Sequence, residues 1–337
     1  MAMRFTRREF SCLSVLAGLG CLGGVKGQEE EGAPASVAIV RTTDRKNGIP
    51  RAVELLGEAD FAGRDVYLKC SYNSAHPFPA TTHPESLSAA VKLLKTKRSG
   101  EITLVERSGM GLTREVMQRL GALERIRETG ISFLPLEELT ATEWRQRDLP
   151  DSHWQNGIMA PGFVTEESCI VQVCNLRTHR FGGEYSAAIK NSIGLIAKHS
   201  PLNPERNYME ELHASPHQCQ MIAEVNRIYA PQLVVMDAVQ TFIEGGPESG
   251  RTAEPGIIAA SRDRVALDAT GIAILRHFGA GFPLDHGAVF DQKQIKRSVE
   301  LGLGVRSARQ IRLITGDDES RILASRLKNL LDDSPLF

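Results

Sequence analysis

Residues 168–194 read SCIVQVCNLRTHRFGGEYSAAIKNSIG. The first seven form an apolar run rich in β-formers, which predicts a buried strand. The chain then sets Arg177, His179 and Arg180 together on a turn and passes through Gly182-Gly183. It enters a helix that carries Lys190 and Asn191. Three cations and an imidazole make a poor core and good surroundings for an anion. In open α/β sheets, ligands collect at the carboxyl ends of the strands. The stretch therefore predicts a strand, turn and helix of an α/β fold, with a ligand site at the turn.

Working outward, the same alternation recurs. Strands are expected at 37–40, 65–70, 102–105, 131–135, 233–236, 256–260 and 311–314. Helices are expected at 49–56, from Pro84 onward, and at 113–120, 216–229, 263–278, 289–301 and 319–331, that of 263–278 being the longest. Alternating strands and helices predict an α/β protein with a mostly parallel sheet flanked by helices. Two lobes with the site between them are expected. Residues 245–251 read as a long glycine-rich turn. After the third strand, residues 106–111 (ERSGMG) could cradle a phosphate at the start of a helix, or form a simple glycine turn.

Of 337 residues, 42% are hydrophobic and 24% charged, an ordinary balance for a globular chain. Residues 1–27 carry Arg4, Arg7, Arg8 and Lys26 against Glu9, a net of +3; removing them from the chain's −1 leaves about −4. A mildly acidic protein lacks the basic face that nucleic acid requires. Those 27 residues look like a signal peptide. A charged start with adjacent arginines and Phe10 precedes a short apolar run and a small-residue end. The expectation is export by the twin-arginine machinery to the periplasm or beyond. The apolar run is too short and glycine-rich for a stable membrane anchor. A flexible leader is expected at 28–36, the α/β domain at 37–315 and a terminal helical segment at 316–337.

Beyond the signal, Cys70, Cys169, Cys174 and Cys219 form no C-x-x-C pair, so no iron–sulfur motif is visible. They read as small buried hydrophobes, with Cys169 and Cys174 on opposite faces of one strand. Trp144 and Trp154 read as packing residues.

Among candidate site residues, His179 could act as general base or metal ligand, since neutral imidazole does both. Lys190, placed at a helix start, opposes the helix dipole unless an anion lies beside it. Asn191 would donate to the same anion. Thr82 either caps the following helix or, with His83, faces the ligand. Asp237, ending an apolar strand, could orient a histidine or hold a metal, or serve as a turn carboxylate. Gly245 and Gly246 could bring backbone amides to an anion, or answer to hairpin geometry. Asp268 is expected to pair with an arginine or with His179.

Three blocks resemble the DUF362 family of prokaryotic proteins. The first is Leu68-Lys69 with Ala80-Thr81-Thr82-His83-Pro84-Glu85. The second is Asn175-Leu176-Arg177-Thr178-His179 with the AIKNSIGLI run at 188–196; the family shows lysine where Arg177 stands. The third is Val235-Met236-Asp237-Ala238, Gly245-Gly246-Pro247, Gly250 and the DRVALDA run at 263–269. Some relatives carry ferredoxin-like cysteine clusters, which this chain does not show. A looser likeness is to lactate racemases that use a nickel-pincer nucleotide. It would put Lys190 at the cofactor lysine and His179 at a histidine, although that family has arginine where His83 stands. The sequence names no cofactor and leaves a metal ion or metal-containing cofactor open. The expected activity is that of an exported enzyme acting on a small anionic metabolite. The alternative is a non-catalytic protein that captures such a solute.

Overall fold

The computed structural model of the protein describes residues 33–332, apart from Glu58, Asp60, Gly182 and Gly183. The expected signal peptide, most of the leader, the glycine pair and the last five residues lie outside the described residues. In chain order the strands are β1 Ala35–Arg41, β2 Val66–Lys69, β3 Ile102–Glu106, β4 Ser132–Pro135, β5 Trp144–Arg147, β6 Ile158–Pro161 and β7 Ile170–Asn175. There follow β8 Arg177–His179, β9 Glu184–Ser186, β10 Leu233–Ala238, β11 Thr241–Gly245, β12 Gly250–Ala253, β13 Ile257–Ser261 and β14 Ile311–Ile314. The helices are α1 Arg45–Leu55, α2 Pro84–Thr96, α3 Thr113–Arg119, α4 Ala122–Thr129 and α5 Ala188–Asn191. After them come α6 Tyr208–Ala214, α7 Gln218–Glu224, α8 Arg264–His277, α9 Lys293–Glu300 and α10 Asp318–Asp332.

Eight strands make one sheet in the order β14-β1-β13-β10-β7-β2-β3-β4. All neighbours run parallel except at β13, which is antiparallel to both β1 and β10. The reason is local. Between β10 and β13 the chain makes only the β11–β12 hairpin, and a short connection returns a strand antiparallel, whereas a parallel neighbour needs a crossover helix. The predicted α/β class is therefore the observed one, with one reversed strand.

Both faces of the sheet are covered. In β1, Val37 and Ile39 enter one apolar cluster while Ala38 and Val40 enter the other, as the period of two in a strand requires. α1, α2 and α4 pack on the second face; α5, α7, α8, α9 and α10 pack on the first. The cysteines behave as small hydrophobes: all four are free and buried, and Cys169 and Cys174 fall in opposite clusters. Trp144 and Trp154 are core residues.

Several expectations change in detail. β1 begins at Ala35, inside the expected leader. The 216–229 helix is α7 followed by a 3-10 turn, Val225–Ile228, and that of 289–301 opens with a 3-10 turn, Val289–Asp291. At 15 residues α10 exceeds α8 by one. The expected two lobes are not found among the described residues, since Gly32–Phe337 form one compact unit. No helix among the described residues is long and apolar enough to cross a membrane.

What positions the site is the alignment of β3, β2 and β7. As parallel neighbours they point the same way, which brings Lys69 and Glu106 to one edge, with β7 running three residues past Gln172, the partner of Lys69, to Asn175. Beside them Asp237 of β10 ties the first helix to the sheet. It accepts from Arg45 Nε at 2.8 Å and from Ser86 Oγ at 2.5 Å, with all three side chains buried. Removing one partner of a buried pair strands the other charge, at about 3–5 kcal/mol. Asp237→Ala is thus expected to lower unfolding free energy by about that much in urea titrations; a loss under about 1 kcal/mol would show that Arg45 finds other partners.

Candidate functional site

Beyond the ends of β2, β3 and β7 lies a cavity of ≈ 540 Å³, within the range of small-molecule sites. Its floor is built from strand ends. Lys69 Nζ lies 2.8 Å from Glu106 Oε1 and donates to Asn191 Oδ1 at 3.1 Å, and both charged side chains are almost wholly buried. The Glu106 carboxylate also accepts from the amides of Tyr72 and Arg107, each at 3.0 Å. Burial pushes its pKa up, against the pull of Lys69 and these amides. Gly194 passes directly over the pair. A Cβ there would lie 2.6 Å from Lys69 Cε and 2.7 Å from Glu106 Oε1.

Above this floor stand cations without carboxylates. β8 carries Arg177 and His179 two residues apart, hence on one side of the strand, and both line the cavity. The sequence placed them on a turn; they belong to a hairpin, β8 paired antiparallel with β9. Arg177 is 3% exposed. Nη1 reaches only the Pro79 carbonyl at 3.4 Å, and Nε has no partner among the described residues. Burial lowers its pKa to about 10. Lys190 lines the same cavity, and no hydrogen bond or ion pair joins its amine to another described residue. Burial, and next the charge of Arg177, lowers its pKa to about 8. Asn191 spends its oxygen on Lys69 and leaves Nδ2 buried without a partner among the described residues.

The helix that presents Lys190 is short. α5 is one turn long, so Lys190 sits near its end rather than opposing a long helix dipole. Burial and Arg177, not the dipole, make its charge costly. Asp268 sets this turn. Its oxygens accept from the amides of Ala188 at 2.8 Å and Ile189 at 3.1 Å, and from Tyr185 Oη at 3.3 Å. The expected pairing with His179 or an arginine is replaced by this cap. Burial raises the Asp268 carboxyl to about 7.

Among the charged lining residues, Lys69 was no site candidate in the sequence, while Glu106 and Arg107 belong to the 106–111 segment read there as a possible phosphate cradle. Buried Arg107 donates from Nε to the Ile196 carbonyl at 3.0 Å, and burial lowers its pKa to about 10. The signal was present, for each charge ends or follows an apolar strand run. His213 also lines the cavity; burial, then Lys190 and Arg107, lowers its pKa. Of the four strong cations lining the cavity, Lys69, Arg107, Arg177 and Lys190, only Lys69 is directly paired with its one carboxylate, Glu106.

The other candidates lie outside this cavity. Arg180 pairs with Glu248 and donates to the Gly246 carbonyl at 3.3 Å. It lines a second cavity with Gly245 and His179. The Gly246 amide is used by the Ser249 carbonyl at 2.7 Å, and a Cβ at Gly246 would meet the Thr178 carbonyl at 2.2 Å. The glycine pair thus answers to the β11–β12 hairpin and its close approach to β8. His83, not Thr82, caps α2: its Nδ1 accepts from the Glu85 amide at 3.2 Å. Burial, then Arg45, lowers its pKa. Thr82 accepts from the Ser71 amide at 2.9 Å and braces its loop against Asn175. Asp237 is held by Arg45 and Ser86, as above. The 106–111 segment, read as a phosphate cradle or a simple glycine turn, is the exception, since Glu106, Arg107, Gly109 and Met110 line the cavity; the start of α3 that follows it already holds a carboxylate of the chain, Glu137, which accepts from the Thr113 amide and hydroxyl. Among the described residues no three His, Cys, Asp or Glu side chains gather as a metal ion requires.

The fold and site define an α/β protein with a cation-rich cavity at the carboxyl edge of its sheet. Residues 66–273, more than half of the chain, match the family model described as a domain of unknown function, DUF362, and the chain belongs to that family. No curated protein and no solved structure matches significantly.

Gly194→Ala should force Lys69 and Glu106 apart. The expected result is a loss of about 1–3 kcal/mol in stability, the usual cost of overpacking. Glu106→Gln should cost more than the double variant Lys69→Met/Glu106→Gln, because only the single change strands a buried charge. With Lys69→Met completing the cycle, a double-variant loss equal to the sum of the two single losses would mean the pair is not coupled.

Proposed function

We propose that the cavity binds a small metabolite through a carboxylate or phosphate group, and that the protein is an exported enzyme acting on it. One observation carries the anionic part. Arg177, buried, and Lys190, partly buried, line one cavity with no carboxylate paired to either among the described residues. Buried charge is normally paired, and an anion would supply the missing partner. In this reading Arg177 offers its planar fork to two oxygens. Lys190 adds a point charge and Asn191 Nδ2 a directed hydrogen bond. His179, lining the same cavity, moves the proton. His83, Arg180, Gly245 and Gly246 shape the surrounding loops, and Asp237 braces α1.

A non-catalytic solute-binding role is the second reading. It is favoured by the state of Glu106, the carboxylate of the cavity, which Lys69 and two backbone amides already engage. Mass spectrometry of a bound ligand before and after incubation separates the two: an enzyme returns a changed molecule and a binder the same one.

Lys190→Ala should abolish binding of phosphate and simple carboxylates in calorimetric titrations while leaving the apo thermal midpoint unchanged or higher. A drop of many degrees in the apo midpoint would instead make Lys190 a structural residue. The pH dependence follows from the lysine value near 8. The free amine loses its proton above that pH and an anion restores it, so affinity should fall by up to about tenfold per pH unit above 8. The apo protein behaves oppositely. Between about 8 and the ordinary 10.5 the unfolded chain holds more protons at this lysine, so this group's contribution to stability rises with pH across that window. The Lys190→Ala variant should lack that rise. Export rests on residues 1–27: Arg7→Lys/Arg8→Lys should leave the protein in the cytoplasm, and unchanged export would point to another route.

A further inference from the structure

The cavity lining joins charge to apolar surface. Lys69, Arg177 and Asn191, all buried, supply part of its polar lining. Ile193, Met209 and Leu212 supply apolar lining, and Met110 and Phe181 also line it while 53% and 48% exposed, alongside the polar side chains of Asn73, His213 and Gln218. Large apolar side chains left half in water at the mouth of a pocket mark a binding surface more often than a scattered Leu does. The two come from different segments, Met110 from the loop after β3 and Phe181 from the turn after β8. Methionine adapts its shape to a guest, and an aromatic ring offers broad apolar area at small entropic cost. A carboxylate or phosphate head alone fills a small part of ≈ 540 Å³. The second cavity offers no equivalent, because its arginines are already paired, Arg180 with Glu248 and Arg251 with Glu244.

We propose that the ligand is an amphipathic anion: a carboxylate or phosphate head held by Arg177 and Lys190, joined to an apolar body. That body lies along Ile193, Met209 and Leu212 and is gripped at the mouth by Met110 and Phe181. This inference rests on the anionic reading above and narrows it to a substrate class. Inorganic phosphate and short carboxylates would bind weakly, and chain length would set affinity.

The test is a calorimetric series on the full chain with straight-chain carboxylates from acetate to octanoate, alongside inorganic phosphate and the matching neutral alcohols. Each methylene buried against the apolar lining should tighten binding about three- to fourfold, until the cavity is filled. In Met110→Ser/Phe181→Ser the gain for the longest members should shrink by about tenfold, with the apo thermal midpoint checked to confirm folding. Binding of acetate with no gain from added methylenes would overturn the amphipathic ligand and leave the anionic reading standing. Alcohols binding as tightly as the acids, or no binding by any carboxylate or phosphate, would overturn both.

Discussion

The ion pair between Lys69 and Glu106 joins the ends of two neighbouring strands, and the rest of the site is laid out around it. Both groups are buried where water cannot screen them. An isolated charge there would be costly, so each requires the other, and the remaining lone pairs and protons must also be satisfied. They are: two backbone amides and the Cys70 carbonyl engage the pair, and Lys69 reaches Asn191. That last bond couples the sheet to the short helix carrying Lys190. Gly194 is glycine because the pair leaves no room for a Cβ.

A neutralised floor changes the meaning of the cations above it. With Glu106 committed, Arg177 and Lys190 face the cavity without a carboxylate partner among the described residues. Each has its pKa lowered chiefly by burial, and the arginine also depresses the lysine. Other places where an anion might have sat are occupied by the chain itself. Glu137 takes the start of α3, Asp268 the start of α5, and Glu248 takes Arg180. The contrast singles out Arg177 and Lys190 as cavity-lining cations that no carboxylate among the described residues neutralises.

Much of the architecture was legible because it depends on local pattern. Apolar runs of four to six residues alternating with amphipathic segments marked the main-sheet strands and most of the helices. β13 was legible as a strand but not as a reversed one, since direction depends on a connection's length and path. The 177–180 segment was legible as a cluster of cations but not as a hairpin. A strand of three residues has too little alternation to read, and its pairing partner β9 lies across residues that carry no strong pattern. Lys69 was passed over, and Glu106 was read only as the start of a glycine-rich segment, for a related reason. One charge at the end of an apolar run is common, and only their pairing gives it weight.

Taken alone, the sequence determined the α/β class, the membership of Arg177, His179, Lys190 and Asn191 in a single charged stretch, and the family likeness. The first two follow from composition and spacing along the chain, and the likeness rests on the motif blocks quoted for it. Tertiary structure decided which charges are spent and which remain. It turned His83 into a helix cap, Asp237 into the partner of Arg45 and Arg180 into a surface pair, and it brought Lys69, Glu106 and Arg107 to the cavity. The physical reason is that a charge is neutralised by what lies within a few ångströms in space, and parallel strands such as β2 and β7 bring together residues far apart in sequence.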